Sequence, residues 1–492
     1  MDALVIYAMI AGGILLSLVF IRLLRSLAQW KTPVLVFIYR HIIYPYVISR
    51  HTFWGPWSRV GVFAHLIYVT VNAVLILFRG NSLEEIGRRA GSLSLINMIL
   101  LLGAGHLSYA ADLLGVSLTA YRKIHRAFGW MTMVLVVLHV GAFGFDLKSS
   151  TTESDTQDLL TIIAVSCLGA LTLMSLPFVR NLSYELFLRA HQGFTIVTVY
   201  GIWQHVPKDA LLPWLYLIIG ISVLAITSSL YFVGLLYRNG IFSGNGCPRA
   251  VLSSNAYESI KNAAFGTPFK VRLLLPRPVK VKAGQYINLW LPGVSFWSWV
   301  QTHPFTIISW SQEKQSVLEL LVLPRNGLTG TIARQLRAIG SGGYSSTALY
   351  SGPHGLSEAL DDYENVLLVA SDSGLPAVLP YARKLIHGNG TCTPRVRRVH
   401  LIWQVEDREI AIVAQEHVNE LLKEDVADNG YVNIVLTELS GENIKKRSPL
   451  QDDQGQMLVM TSTSGDIRDK LRGIVRQHLH QRLNMINLEY QP

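Results

Sequence analysis

The stretch YRKIHRAFGWMTMVLVVLHVGAFGF, residues 121–145, decides the fold together with YELFLRAHQGFTIVTVYGIWQHV at 184–206. Each is an apolar run about as long as a membrane-spanning helix. The first carries His125 and His139, the second His191 and His205, and both pairs are 14 residues apart. On an α-helix that spacing is nearly four turns, so the two side chains share a face, roughly 40° off register and about 21 Å apart along the axis. That is most of a hydrocarbon core of about 30 Å. Two such helices side by side set His125 opposite His191 and His139 opposite His205. Each opposed pair can hold one metal, and bis-histidine ligation of a haem iron is the leading candidate, giving two haems stacked across a membrane.

The plainer reading is that a membrane histidine hydrogen-bonds a neighbouring helix. Chance also supplies spacings: with 15 histidines in the chain, scattering alone yields roughly half a pair at this separation. His51 and His65 are such a pair, but Gly55 and Pro56 intervene, and a proline inside a helix removes a hydrogen bond and clashes. The other two pairs lie in uninterrupted apolar segments, where ionisable residues are costly and usually functional.

Half of the 492 residues are hydrophobic, and mean hydropathy is +0.32. The apolar excess is confined to residues 1–237; from Cys247 onward the chain reads as a soluble α/β protein. The net charge of +10 comes without a continuous basic stripe, which argues against nucleic acid as a partner. The three cysteines, Cys167, Cys247 and Cys392, form neither a CxxC nor a zinc spacing, so no disulfide framework or zinc site is expected.

Apolar segments of transmembrane length occur near 3–24, 60–78, 92–115, 121–145, 159–179, 184–206 and 212–237, about seven in all. The first reads as a retained signal-anchor helix, because Arg22 and Arg25 follow its apolar run. Residues 25–59 carry Arg25, Lys31, Arg40, Arg50 and Arg59 and no acid. The 116–126 and 180–189 links are also basic. These three belong on the cytoplasmic side. The acidic loop from Asp146 to Asp158 belongs outside. The 79–91 loop is the weak case, with Arg79, Arg88 and Arg89 against two glutamates. The N-terminus is then outside and the C-terminal module cytosolic, with His125 and His191 towards the cytosol and His139 and His205 towards the exterior. The aromatic and proline clusters of residues 26–59 suit a segment lying along the bilayer interface. His106, without a partner at 14, reads as a buried hydrogen-bonding histidine.

In the soluble half, short alternating runs at Phe269–Leu275, Tyr286–Leu291, Phe305–Trp310 and Val317–Leu323 predict a small antiparallel barrel. Within it lie His303-Pro304-Phe305-Thr306 and Arg325-Asn326-Gly327-Leu328-Thr329. A hydroxyl on such a strand can hydrogen-bond a flavin ring edge, and a basic residue with the N–H groups of a glycine turn can hold a pyrophosphate. From Asn365 the texture changes to strand–helix alternation. Val366–Ala370 is a continuous apolar run, as in a buried parallel strand. It ends in Ser371-Asp372-Ser373-Gly374 before a helical stretch, the usual anion site for a nucleotide phosphate. Further strands are expected at Val399–Trp403, Val432–Leu436 and Met457–Thr461, and helices at Asp407–Glu424 and Lys470–Leu479.

Taken together these residues resemble the ferric reductase and NADPH oxidase superfamily, over residues 60–480. The two histidine pairs carry the resemblance, with His303-Pro304-Phe305-Thr306, Gly352-Pro353-His354-Gly355 and the strand–turn–helix at 366–386. The extra first helix, the N-out topology and the absence of calcium-binding repeats are closest to the fungal metalloreductase branch. The resemblance implies a polytopic α-helical membrane domain of about seven helices and a ferredoxin-reductase-like module, an antiparallel β-barrel FAD domain followed by an α/β nucleotide domain. The implied domains are an anchor and interfacial segment at 1–59, the transmembrane haem domain at 60–240, the FAD barrel at 248–355 and the NAD(P) domain at 356–492. The implied cofactors are FAD, NADPH and two b haems. Hydride passes from NADPH to FAD, then single electrons pass to the inner haem, the outer haem and an external ferric or cupric chelate. The implied setting is the plasma or vacuolar membrane, with an iron or copper transporter downstream. By motif, His303, Pro304, Phe305 and Thr306 meet FAD, with Arg325 and Thr329 at its phosphates. Gly352, Pro353, Gly355, Gly374 and Arg468 help to place NADPH. No general acid or base is implied.

Three departures stand out. His354 replaces the tyrosine of the usual Gly-Pro-Tyr-Gly; Ser371 and Ser373 occupy positions where glycine is common; and a Cys-Gly-Pro is missing around Ser462–Gly465. They keep open a scaffold reading with a vestigial flavin module. An NADPH oxidase is the enzymatic alternative. Against it, oxidases typically shorten the second histidine pair by one and place a histidine where this chain has Phe143.

Overall fold

In the computed structural model of the chain, residues 33–51, 55–80, 82–143, 152–242, 244, 246–253, 268–325, 327–339, 343–390, 396–406, 408–425, 432–437, 456–479 and 483–490 are described. The expected anchor helix at 3–24 and residues 146–151 of the acidic loop lie outside them. The chain divides into two compact units, the residues up to Phe63 together with Glu358–Tyr490, and Ala64–Ser357.

The described chain opens with α1 (Pro33–Ile38), a π-turn at Tyr39–Ile43, and a two-stranded ribbon of β1 (Tyr46–Ile48) and β2 (Trp57–Ser58). The apolar helices follow: α2 (Arg59–Leu77), α3 (Leu83–Leu102), a 3₁₀ turn (Gly103–His106), α4 (Leu107–Leu114), α5 (Leu118–Phe143), α6 (Thr152–Met174), α7 (Pro177–Leu182), α8 (Tyr184–His205) and α9 (Leu211–Arg238). Among the described residues, Arg59–Leu77, Leu83–Leu114, Leu118–Phe143 and Leu211–Arg238 are long and apolar enough to cross a membrane, and α6 adds a shorter apolar stretch, Leu159–Met174. The α8 helix has the length but carries Glu185, Arg189, His191, Gln192 and His205 along its 22 residues. Bare aliphatic side chains cover the outer faces, among them Ile67, Ile196 and Val233, as a hydrocarbon surrounding demands. Inside, Tyr68, Asn72 and Asn97 form a buried polar knot: Tyr68 OH donates to Asn97 Oδ1 (2.9 Å), and Asn97 Nδ2 donates to Asn72 Oδ1 (3.2 Å). Such bonds join membrane helices where apolar packing gives no preference over lipid.

Two expectations change here. Residues 83–91, read as loop, are the first turns of α3. Ser82 caps them by accepting from the Glu85 N–H (3.1 Å), Glu84 and Glu85 face the positive end of the helix dipole, and Glu84–Arg88 and Glu85–Arg89 pair one turn apart. The third span breaks at Gly103–His106, where the His106 ring stacks on Tyr231 at 3.8 Å between centroids.

The barrel comprises β3 (Arg249–Ser253), β4 (Phe269–Val279), β5 (Tyr286–Trp290), β6 (His303–Thr306), β7 (Gln315–Val322), α10 (Leu328–Ile339), β8 (Tyr344–Thr347) and β9 (Leu349–His354). All pairings are antiparallel, in the orders β7-β4-β3-β8 and β6-β5-β9. Alternate residues such as Val271 and Leu273 enter one core with Ile287, Leu289, Leu318 and Leu320. The α10 helix was not foreseen, because Gly327-Leu328-Thr329 reads as a turn. Leu328, Ile332 and Leu336, one turn apart, bury one face of it in that core, each contributing about 1.5–3 kcal/mol.

The last domain holds β10 (Asn365–Ser371), α11 (Leu375–Gly390), β11 (Arg398–Gln404), α12 (Arg408–Glu424), β12 (Val432–Thr437), β13 (Met457–Ser462), α13 (Gly465–Gln477) and β14 (Leu483–Asn487). The strands make one parallel sheet, β12-β11-β10-β13-β14. Every residue of β10 is buried, which explains its unbroken apolar text. The segment around Tyr44, expected along the bilayer, is built into this domain instead. Tyr44 is buried in a core shared with Leu367, Val459 and Val475. Arg472 donates to the carbonyls of Ile43 and Tyr44 (2.6 Å each) and lies over the Tyr46 ring at 4.6 Å. Tyr46 OH donates to Asp469 (3.1 Å) and Tyr44 OH accepts from the Met485 N–H (3.1 Å). Burial pushes the Tyr44 phenol up to about 12. The Tyr44-Pro45-Tyr46 cluster thus has a protein partner, which composition cannot reveal.

Candidate redox sites

Helices α5 and α8 bring the four histidines into two opposed pairs. Ring centroids are 6.2 Å apart for His125 and His191, and 6.1 Å for His139 and His205. Two imidazoles gripping one metal from opposite sides, each at about 2 Å from a ring nitrogen, put their centroids roughly 6.4 Å apart. Both pairs therefore have the span of an axial bis-histidine site. Other observations point the same way. Among the described residues His125 Nδ1 and His191 Nδ1 are buried with no hydrogen-bond partner, a costly state that a ligand would relieve. Gly129, one turn past His125 on the same face, would put a Cβ into open space.

The outer pair is oriented from behind. His139 Nδ1 lies 2.9 Å from the Gly87 carbonyl and His205 Nδ1 lies 3.1 Å from Thr161 Oγ1. With each Nδ1 carrying the proton, both Nε2 atoms are left as acceptors, the arrangement that fixes a metal-binding imidazole. The approach of α3 requires glycine: a Cβ at Gly91 would fall 2.8 Å from His139 Nδ1, and one at Gly87 would press on Ala142 and Phe143. On α8, a Cβ at Gly201 would meet Ala164, which brings α6 and Thr161 within reach of His205. Thr161→Val removes the bond to His205 and is expected to weaken metal affinity at the His139–His205 pair about 10–100-fold, read as the metal-to-protein ratio after dilution in detergent.

The flavin candidates share β6. Thr306 is 3% exposed, and its hydroxyl has no partner. His303 Nε2 is also buried without a hydrogen bond; its nearest charge is Glu185 Oε1 at 3.9 Å. Burial lowers the His303 pKa below its ordinary 6.5, which favours the neutral ring at neutral pH. Two orphaned polar atoms on one strand fit the edge of a flavin ring. The Thr329 hydroxyl instead holds its own turn, accepting from the Arg325 N–H (2.9 Å). Arg325 is exposed, and its guanidinium has no partner among the described residues.

Gly352 and Gly355 have φ of +117° and +95°, which only glycine adopts freely. A Cβ on Gly355 would meet the Tyr286 ring at 3.1 Å. Gly352, Pro353 and Gly355 belong to the barrel's unit, and Gly374 and Arg468 to the other. Gly374 follows β10, where a Cβ would run into the Ser462 carbonyl at the end of β13. Ser371 Oγ accepts from the Ser464 N–H (2.8 Å), and Asp372 Oδ1 accepts from the Glu406 N–H (2.7 Å). Ser371, one of the residues that depart from a glycine-rich turn, and its neighbour Asp372 thus tie together loops at the carboxyl ends of neighbouring parallel strands, where open α/β sheets bind ligands. Arg468 lies in the first turn of α13.

Sequence reasoning missed Thr161, Gly87, Asp112 and Asn239. Asp112 Oδ2 lies 2.6 Å from His354 Nδ1, and Asn239 is fully buried with its amide bonded to the backbone of Tyr350. The available signal was a lone carboxylate and a lone amide at the ends of apolar stretches.

Residues 90–202 match the ferric reductase like transmembrane component, 267–358 an FAD-binding domain and 363–485 the ferric reductase NAD binding domain. Ferric reductase transmembrane component 3 of Saccharomyces cerevisiae is 28% identical over 316 residues, 61% of this chain and 41% of that protein. Ferric/cupric reductase transmembrane component 2 of the same yeast is 26% identical over 324 residues, 63% of this chain and 42% of that protein. The chain spans about two fifths of the length of these relatives. Among solved structures, a flavohemoglobin from Malassezia yamatoensis is similar over 87% of this chain and 98% of its own, at 12% identity and a TM-score of 0.39. With the transmembrane, FAD-binding and NAD-binding domains in sequence along one polypeptide, the chain is an integral membrane protein that belongs to the ferric reductase superfamily, on its fungal ferric reductase branch.

Proposed function

We propose that the chain carries electrons from cytosolic NADPH, through FAD and two b haems, to a ferric or cupric chelate outside the plasma membrane. The observation that carries this reading is the pair of opposed imidazole couples, 6.2 and 6.1 Å between centroids, on two adjacent apolar helices. When bound, the flavin converts a hydride into single electrons and the haems relay them across the bilayer. His125 and His191 hold the inner haem, and His139 and His205 the outer. The Gly87 carbonyl and Thr161 fix the outer imidazoles as neutral ligands. Thr306 and the neutral His303 orient the flavin edge, Arg325 meets its phosphates, and the Ser371–Gly374 turn with Arg468 receives the dinucleotide.

The orientation, with the nucleotide module cytosolic, is supported by basic links on one side of the membrane. It is strengthened by the Glu84–Arg88 and Glu85–Arg89 pairs, which neutralise two of the three arginines on the opposite side. Phe143 favours a metal acceptor over oxygen. Its ring packs edge-on against His139 at 5.1 Å, placing an apolar group on this flank of the outer site where a polar side chain could otherwise hold a small oxygen species.

The test is the product. Purified, cofactor-loaded protein is given NADPH and a ferric chelate under nitrogen and then under air. One iron(II) is expected for each electron supplied, in both atmospheres, with superoxide a minor product. Superoxide as the main product in air, with the chelate present, would establish the oxidase reading instead.

A further inference from the structure

Strand β9 is fastened to two membrane helices, and the fastening points coincide with the flavin residues. Asp112, in the last turn of α4, takes both polar groups at the end of β9: its Oδ2 accepts from His354 Nδ1 (2.6 Å) and its Oδ1 accepts from the Gly355 N–H (2.8 Å). His354 is 4% exposed, and its Nε2 lies 3.0 Å from Ser351 Oγ. At the other end of β9, Asn239, which caps α9, accepts from the Tyr350 N–H (2.9 Å) and donates to the Tyr350 carbonyl (2.8 Å). The sheet order is β6-β5-β9. Its register sets Thr306 opposite Tyr286 and Tyr286 opposite His354; it also sets His303 opposite Leu289 and Leu289 opposite Tyr350. Thr306 and His303 on β6 therefore each stand in the same rung as one membrane-anchored residue of β9, two strands and about 10 Å away.

We infer that Asp112, acting through His354 and Gly355, is a positioning residue that sets the flavin strand against the haem-bearing helices, with Asn239 as its counterpart at the second rung. The inference rests on the proposed electron path. It also accounts for His354 in place of tyrosine: the imidazole offers an N–H to Asp112 on one side and a second nitrogen to Ser351 on the other, which a phenol cannot do. A hydrogen-bonded rung transmits displacement across the sheet; the β5–β9 pairing shifts register between Tyr286 and Asn288, so the His354 and Tyr350 rungs act as two separate anchoring points. Loss of the Asp112 bonds frees the Gly355 end of β9 and lets β6 shift, and electron transfer falls steeply with distance.

The experiment uses full-length, cofactor-loaded protein carrying Asp112→Ala or Asp112→Asn. Asparagine keeps an acceptor for the Gly355 N–H and a partner for His354. In Asp112→Ala, haem reduction by the flavin slows about tenfold or more, as small misplacements at a reacting centre do, and slows by a larger factor than NADPH-driven flavin reduction. Asp112→Asn returns to within about threefold of the unaltered rate by the same reasoning. Amide hydrogen exchange over residues 349–356, measured without NADPH, is faster in the alanine variant and unchanged in the asparagine variant. If Asp112→Ala does not assemble, His354→Phe removes the side-chain bond to Asp112 while filling the ring's volume and keeping the Gly355 N–H bond, and a slower haem step in the same direction is expected. Unaltered exchange and haem reduction in Asp112→Ala or His354→Phe, or an asparagine variant as slow as alanine, would overturn the inference. If the unaltered protein's haem is not reduced by NADPH at all, the proposed electron path fails instead, and the exchange measurement still judges the anchor.

Discussion

His139→Ala or His205→Ala is expected to remove the outer haem, keep the inner one, and lower chelate reduction at least about a hundredfold, since loss of even an outer-shell partner costs 10–100-fold in metal affinity. The opposed rings at 6.1 Å leave the iron no substitute on either helix. Val140 and Val206 are the next residues along, and Phe143 is the ring packed against His139. Flavin reduction by NADPH, read with a soluble dye as acceptor, stays near the unaltered rate because it uses the barrel and the nucleotide domain alone. His125→Ala or His191→Ala differs in kind: the inner haem is lost, and the outer one, still bound by His139 and His205, is no longer reduced from the flavin. Haem content and spectra of the four variants check this, and retention of both haems in all four would end the ligand assignment.

Gly374→Val is the second large effect. Its Cβ would occupy the position of the Ser462 carbonyl, which is main chain and pinned by the β10–β13 pairing of Ala370 with Ser462. The turn must open, with a packing cost of about 1–3 kcal/mol and loss of the geometry that receives the dinucleotide. NADPH-driven flavin reduction should fall by about a hundredfold or more, as misplacement at a reacting centre does, while dithionite still reduces both haems. Gly465→Ala is the control. The Cβ there meets only the Arg50 guanidinium, the far end of a flexible side chain, and activity within about threefold of normal is expected, as for surface changes worth some ±0.5 kcal/mol.

How much of this was legible in the sequence depended on whether the signal was local. The histidine spacing was readable because ionisable residues in an apolar helix stand out. The parallel strand β10 was readable because a strand buried on both faces has no polar alternation. The fold class followed from such local texture. The partners of the site residues were not readable. Asp112 and His354 lie 242 positions apart, and Arg472 and Tyr44 lie 428 apart, distances over which no periodicity reports. Tyrosine and arginine around Tyr44 suit a bilayer interface, but they suit a protein surface equally well, and α13 supplies one. The α10 helix was hidden by Thr329 and Gly330, both poor helix formers, although Leu328, Ile332 and Leu336 keep helical spacing. Ser371 and Ser373, read as departures from a glycine-rich turn, gained a meaning only when Ser371 was seen bonded to Ser464.

The most direct test of the central claim is an anaerobic optical titration of the purified, cofactor-loaded protein with NADPH. The account predicts a low-spin spectrum of two six-coordinate haems, both reduced in step with added NADPH and reoxidised when ferric chelate is supplied. Haem that stays oxidised with NADPH yet is reduced by dithionite would contradict it, and would place the break between the nucleotide turn at Ser371–Gly374 and the His125–His191 pair.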